Sequence, residues 1–259
     1  MKIIDEKCKI IINKEIAGGV FDMTVSAPFI SKNAVAGQFV NFYCEGKPLR
    51  RPISICETDK KNETARFVYL VKGGGTKYLS ELKTNDTAQI LGPLGNGFNI
   101  NNLPENPVIV AGGIGSPPML FLVKQTGGDV ILGFRSKDNV ILINEFEKFA
   151  NSVLYTTDDG NAGQKGFVTA LLNERLSKKH CGVIMACGPK PMLSAVADIA
   201  EKNSIPCFLS LEEHMGCGVG ACLVCACKVR NKDNNEEYYA HICKDGPVFN
   251  AKNIVWEKY

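Results

Sequence analysis

The sequence predicts an all-β barrel followed by a parallel α/β sheet, with a small cysteine-rich unit at the end. Three observations carry this reading. Short strand-like runs broken by turn residues fill residues 1–101. From there to residue 205, apolar runs alternate with helical patterns. Six of the 11 cysteines then fall between Cys207 and Cys243. The expected domains are therefore 1–101, 102–205 and 206–259.

In the first region, residues 9–12, Val20–Ser26, 38–44 and 66–71 have strand composition. Gly18-Gly19, Ala36-Gly37 and Gly73-Gly74-Gly75 separate them. Short strands at modest spacing with turn signals point to a small β-barrel. One helix is expected after Thr76, through Tyr78, Leu79 and Leu82.

In the second region, residues 108–111, 130–133, 153–156 and 183–186 read as buried strands. Helices are expected from about Pro117, over 168–176, and through Met192, Ala195, Val196 and Ile199. Strands alternating with helices imply a parallel sheet with crossover connections. The third region is too short to bury much core, so a metal cluster would be its natural staple.

Bulk properties narrow the function. The net charge is +3, from 30 basic and 27 acidic residues, which gives no support to a nucleic-acid or anionic-membrane partner. The N-terminus has no export signal, and no apolar run reaches the ~18 residues of a membrane span. A cytoplasmic protein is expected, in which disulfides are disfavoured.

The cysteines follow a metal-centre pattern. Cys217-x4-Cys222-x2-Cys225, with Cys243 downstream, is the plant-type [2Fe–2S] ligand spacing. Four thiolates serve two irons. Gly216, Gly218 and Gly220 would let the loop fold around the cluster and aim N–H groups at its sulfurs. A structural zinc site also uses four cysteines, but usually as two short C-x2–4-C pairs. Cys227 breaks the spacing and is read as a core residue, as are Cys207 and Cys8. His214 beside the loop is read as a surface or packing residue.

Two turns point to a nucleotide. Gly112-Gly113-Ile114-Gly115 follows a strand and opens a helix, the arrangement in which backbone N–H groups meet a phosphate. It is not the GxGxxG fingerprint, and such corners are also Gly-rich for packing alone. Cys187-Gly188-Pro189 follows another strand of the same sheet. Both turns would lie at carboxyl ends of strands, where open α/β sheets bind ligands. Arg135 sits where a ribose 2′-phosphate would be neutralised, or is a plain surface side chain. Asp158-Asp159-Gly160 reads equally as a ribose contact or a turn.

Arg50-Arg51-Pro52-Ile53-Ser54-Ile55 is weak as a bare string, although an Arg can neutralise a phosphate and a Ser can bond a flavin edge. The order of motifs adds weight. Arg-Pro-Ile-Ser, then Gly75-Thr76, Gly92-Pro93-Leu94-Gly95, the Gly112 loop and Cys187-Gly188-Pro189 resemble the ferredoxin-NADP reductase superfamily. With the Cys217 loop and Cys243-Lys244-Asp245-Gly246-Pro247, the chain resembles the electron-transfer subunits of two-subunit, NAD-dependent dihydroorotate dehydrogenases over roughly residues 3–250.

The resemblance implies an FAD-binding barrel, an NAD-binding α/β domain and a [2Fe–2S] domain. It implies FAD contacts at Arg51, Pro52, Ile53 and Ser54, at Val68, Tyr69 and Leu70, and at Gly75 and Thr76. NAD falls to Gly112, Gly113, Gly115 and Cys187, and the cluster to Cys217, Cys222, Cys225 and Cys243. A flavin is the expected converter between a hydride and single electrons. No nucleophile–base pair is evident. All 259 residues are consumed, leaving no room for a (β/α)8 barrel of about 250. An FMN-containing catalytic partner in pyrimidine (UMP) biosynthesis is therefore implied, in a heterotetramer of two chains of each kind. A reductase subunit of another flavin/iron–sulfur complex is the alternative, and a redox-sensing regulator a third reading.

Overall fold

The computed structural model describes residues 2–256. Seven strands build the first region: β1 (Ile4–Ala17), β2 (Val20–Ser26), β3 (Phe39–Phe42), β4 (Arg51–Ser54), β5 (Glu57–Asp59), β6 (Thr64–Leu70) and β7 (Thr87–Leu94). They form one antiparallel sheet in the order β4-β3-β7-β1-β2-β6-β5. The edge strands β4 and β5 are consecutive in the chain. Between them Ile55 N–H bonds the Gln38 carbonyl on one side, and Cys56 N–H bonds the Arg66 carbonyl on the other. The sheet thus curls into a barrel that is closed at this point and open elsewhere. Pro52, which cannot donate to a ladder, sits on the edge strand β4, where its missing N–H does least harm.

Inside the barrel Phe42 and Phe67 meet edge to face at 5.0 Å among Ile10, Met23, Ile55 and Ile90. Two helices cap it, α1 (Pro28–Asn33) and α2 (Gly74–Glu81). The second is the helix expected after Thr76. The first was not expected, because its six residues are too few for a periodic signal.

The second region contains β8 (Val108–Gly112), α3 (Ser116–Thr126), β9 (Asp129–Phe134), α4 (Ile143–Phe146), β10 (Ser152–Thr157), β11 (Gln164–Lys165), α5 (Val168–Lys178), β12 (Ile184–Cys187), α6 (Lys190–Lys202) and β13 (Cys207–Ser210). All six strands run parallel, in the order β11-β10-β9-β8-β12-β13. The first strand in sequence, β8, is central. The chain winds outward through β9 and β10, then returns to place β12 on the other side. The topological switch point falls between β8 and β12, the crevice where such sheets bind ligands.

The C-terminal region adds a hairpin, β14 (Ala226–Arg230) with β15 (Glu237–His241), and then β16 (Val248–Asn250), which pairs antiparallel with β13. Here the structure differs from the expected partition at residue 206. Both β13 and β16 lie inside residues 206–259, yet both belong to the α/β sheet. The physical reason is burial. Cys225, Cys227, Val229, Ala240, Ile242 and Cys243 pack in one apolar cluster with Val108, Ile131, Ile184 and Leu209 of the sheet. A segment this short borrows a core rather than making one.

Candidate functional site

The cluster loop is built to hold sulfur. Cys217 Sγ accepts N–H bonds from Val219 at 3.4 Å, Ala221 at 3.2 Å and Cys222 at 3.4 Å. Cys222 Sγ accepts from Cys217 N at 3.2 Å, and Cys243 Sγ from Gly220 N at 3.1 Å. Gly218 and Gly220 take positive φ, +75° and +83°, as expected of a loop that turns its N–H groups inward. Gly216 does not. It is small for another reason, since a Cβ there would come within 3.0 Å of Cys222 Sγ.

Burial opposes the Cys217 thiolate, but the converging N–H groups and the Cys222 side chain outweigh it and bring the thiol down to about 6. Burial, and then the Cys225 thiol beside it, push Cys243 up to about 12. Among the described residues no three His, Cys, Asp or Glu side chains meet as ligands of a single ion. The four thiols stand as two pairs, Cys217 with Cys222, and Cys225 with Cys243 at 3.3 Å. Two pairs suit a two-iron cluster, which takes two thiolates at each iron, better than a tetrahedral zinc. Cys227 lies on β14 in the apolar core with its thiol pushed up by burial, as does Cys207 on β13. Cys8 is fully buried in the barrel, and His214 is exposed.

The two nucleotide turns meet at the switch point. Ala111 on β8 is in register with Cys187 on β12. Gly115 leaves room for the turn opposite, because a Cβ there would lie 2.5 Å from the Cys187 carbonyl oxygen. A Cβ on Gly112 would strike Met192 Sδ at 2.6 Å, whereas Gly113, at φ +52°, faces open space. Burial pushes the Cys187 thiol up to about 12, so it stays neutral. Sequence reasoning missed Ser116. It opens α3, is 0% exposed, and its Oγ has no partner among the described residues. Its place directly after the Gly loop was the signal. Arg135 is exposed beyond the end of β9, and Asp159 caps its own turn by accepting from Asn161.

The two arginines of the Arg50–Ile55 segment have different partners. Arg50 makes a bidentate pair with Asp5, at 2.7 and 3.0 Å, and its guanidinium lies over Tyr43. It is therefore structural. Arg51 instead crosses the start of α2: a Cβ on Gly75 would lie 2.1 Å from Arg51 Nε. Lys47 approaches Gly74 from the same side, and a Cβ there would lie 3.1 Å from its Nζ. Thr76 Oγ1 holds the turn by accepting from Lys72 N and Gly73 N. Two cations beside a helix N-terminus create a positive setting of the kind that favours a diphosphate.

Pro52, Ile53 and Ser54 continue along β4. Val68 and Leu70 lie on β6, but the Tyr69 ring between them turns into the barrel, beside Phe21 and Asn13. Tyr69 can offer a bound ring only its backbone. Asn41, also missed from the sequence, lies opposite Pro52 and donates to the Cys217 carbonyl. Asn96, just past β7, donates to the carbonyls of Lys244 and Asp245. The cluster loop therefore docks on the barrel, one strand away from the Arg51–Ser54 edge.

Comparison with known proteins agrees with this geometry. Residues 212–255 match the model of the iron-sulfur cluster binding domain of dihydroorotate dehydrogenase B. A solved NADH-dependent reduced ferredoxin-NADP oxidoreductase, described for flavin-based electron bifurcation, superposes with a TM-score of 0.85 at 30% identity. That match covers 96% of this chain and 90% of the other. Ferredoxin-NADP+ reductase from Plasmodium falciparum shares the fold, with a TM-score of 0.61 at 17% identity over 76% of this chain and 89% of that one. The dihydroorotate dehydrogenase B (NAD(+)) electron transfer subunit of Caldanaerobacter subterraneus subsp. tengcongensis is 39% identical, over 96% of this chain and 98% of the relative. At that likeness over nearly the whole of both sequences, the chain belongs to the family of dihydroorotate dehydrogenase B (NAD(+)) electron transfer subunits.

Proposed function

We propose that this chain relays electrons between NAD and the FMN of a catalytic dihydroorotate dehydrogenase subunit, through FAD and a [2Fe–2S] cluster, in UMP synthesis. The observation that carries it is the docking of the Cys217 loop on β3, the strand paired with the flavin edge β4. A nicotinamide gives up two electrons as a hydride, a [2Fe–2S] cluster takes one, and a flavin exchanges both ways.

The protein's own part is placement. Arg51, Gly75 and Thr76 hold the FAD diphosphate at the start of α2. Pro52, Ile53, Ser54, Val68 and Leu70, with the backbone of Tyr69, line its ring. Gly112, Gly113 and Gly115 admit the NAD phosphates, and Cys187 presents a neutral thiol at the switch point. Cys217, Cys222, Cys225 and Cys243 hold the cluster. No residue here is asked to move a proton.

A catalytic partner is implied by the family's name as an electron transfer subunit. We further infer an assembly of two chains of each kind, working in the reducing cytoplasm that suits a chain with eleven cysteines and an iron–sulfur cluster. Among the described residues no helix is long and apolar enough to cross a membrane. The 30% identity to a ferredoxin-NADP oxidoreductase favours a second reading, a reductase subunit of another flavin/iron–sulfur complex.

Anaerobic co-purification from native cells, followed by an assay of NADH-driven orotate reduction, separates the two. A co-purifying flavoprotein with orotate activity is the expected result. FAD and a cluster without orotate chemistry would move the chain to the second reading.

A further inference from the structure

Asn41 belongs to no motif, yet it touches two of the proposed sites. It is 1% exposed, on a strand where Asn is a poor intrinsic choice. Strand alternation sends its neighbours Val40 and Phe42 into the barrel core and leaves Asn41 on the opposite face with Phe39. Phe39 in turn packs in the apolar cluster that contains Cys225 and Cys243. On that face Asn41 Nδ2 donates to the Cys217 carbonyl at 3.3 Å. Gly218 presses on the same amide, and a Cβ at Gly218 would lie 2.0 Å from Nδ2.

The other end of the side chain, Oδ1, is buried without any donor among the described residues. A half-satisfied buried amide is worse for stability than an apolar residue of the same shape. Packing alone would therefore be better served by Leu. The residue makes sense if its position is functional. Cys217 carries three of the N–H···S bonds in the loop, so pinning its carbonyl orients the whole 217–222 turn.

We propose that Asn41 is a positioning residue that fastens the cluster loop to the flavin-bearing edge of the barrel, an inference that rests on the function proposed above. It touches neither cofactor's reacting atoms. It keeps the sulfur-binding turn in one arrangement relative to β4, so that electrons cross a fixed gap and the cluster is gripped by a preformed loop.

The test uses the full chain carrying FAD and cluster, with Asn41→Leu, which keeps the volume and removes both polar ends. Asn41→Ala removes the same amide without filling its space. NADH should bleach the flavin of both variants at the wild-type rate. Cluster reduction, followed by EPR on rapidly frozen samples, should slow about tenfold, the scale of one lost hydrogen bond. Loss of iron to a chelator in the absence of NADH should quicken by a similar factor of about ten. Wild-type cluster reduction and chelator resistance in both variants would overturn the proposal. Equal slowing of flavin bleaching and cluster reduction would also overturn it, since it would mean general damage to the barrel. A wild-type chain that takes up neither flavin nor cluster would remove the underlying function and this inference together.

Discussion

Gly115 has no side chain because the space is taken. A methyl group there would sit 2.5 Å from the Cys187 carbonyl oxygen and 2.9 Å from Gly188 Cα, both backbone atoms that cannot swing aside. Its φ is ordinary, so the constraint is contact and not conformation. Gly115→Ala should push the start of α3 away from the β12 turn. The expected cost is about 1–3 kcal/mol of stability by overpacking. The NADH concentration for half-maximal flavin bleaching should rise roughly tenfold, the equivalent of 1.4 kcal/mol of binding. A thermal melt and an NADH titration of the same sample check both. A titration that matches wild type would disconnect the Gly112 loop from nicotinamide binding.

Legibility varied even among neighbouring residues. The pair Arg50-Arg51 could not be divided from the string, because the partners that divide it, Asp5 and Gly75, lie far along the chain. The thiol pattern was legible because ligand spacing along one loop is a local property.

Among the elements, the barrel and the α/β sheet are tied by an ion-pair network centred on Arg66. Arg66 on β6 binds Asp22 on β2 at 2.8 Å, Glu145 on α4 at 2.6 Å and Glu57 on β5 at 3.5 Å. Lys124 on α3 closes the network through Glu57. These side chains are mostly buried, so removing the cation leaves like charges facing one another. Arg66→Met should cost about 3 kcal/mol in denaturant unfolding.

The network also sets a pH dependence. The hydrogen bond from Arg66 is the main cause that holds the Glu145 carboxyl below its usual range, against the opposing effect of burial. At Asp129, burial opposes the charge, but bonds from Ser152 and Arg175 prevail and lower that carboxyl too. A depressed carboxyl pKa means that the folded state holds fewer protons than the unfolded one. The stability it contributes is full above about pH 4.5 and is lost as pH falls through the folded value. Unfolding measured across that range should therefore show wild type losing stability with acid. The gap to Arg66→Met should narrow as pH drops, and a gap constant with pH would mean that Arg66 acts by packing alone. The strands β1, β2, β3, β6, β8, β9, β10 and β12 and the helices α2, α3, α5 and α6 were legible from apolar runs and their turn boundaries, whereas β4, β7 and β13 were not singled out. The short pieces α1, α4, β5 and β11 were not, because two to six residues carry no period.

At the scale of the whole molecule, we expect the C-terminal region to depend on the α/β sheet for its fold. A chain ending at residue 205 would lose β13 and β16, leaving β12 as an unpaired sheet edge and stripping Ile184 and Ala186 of the C-terminal residues that share their apolar cluster. We expect this truncated chain to accumulate as insoluble protein or to lose cooperative unfolding. A soluble chain that melts in one transition would restore the three-domain partition. The sequence by itself determined the order of parts, the kinds of element and the cysteine set, because turn chemistry, periodicity and ligand spacing act within a few residues. Only the tertiary structure decided that the last segment completes the second sheet, that the two nucleotide turns flank one switch point, and that Asn41 joins barrel to cluster loop. Each of those depends on packing between residues distant in the chain, and burial chooses such partners only when the whole chain has folded.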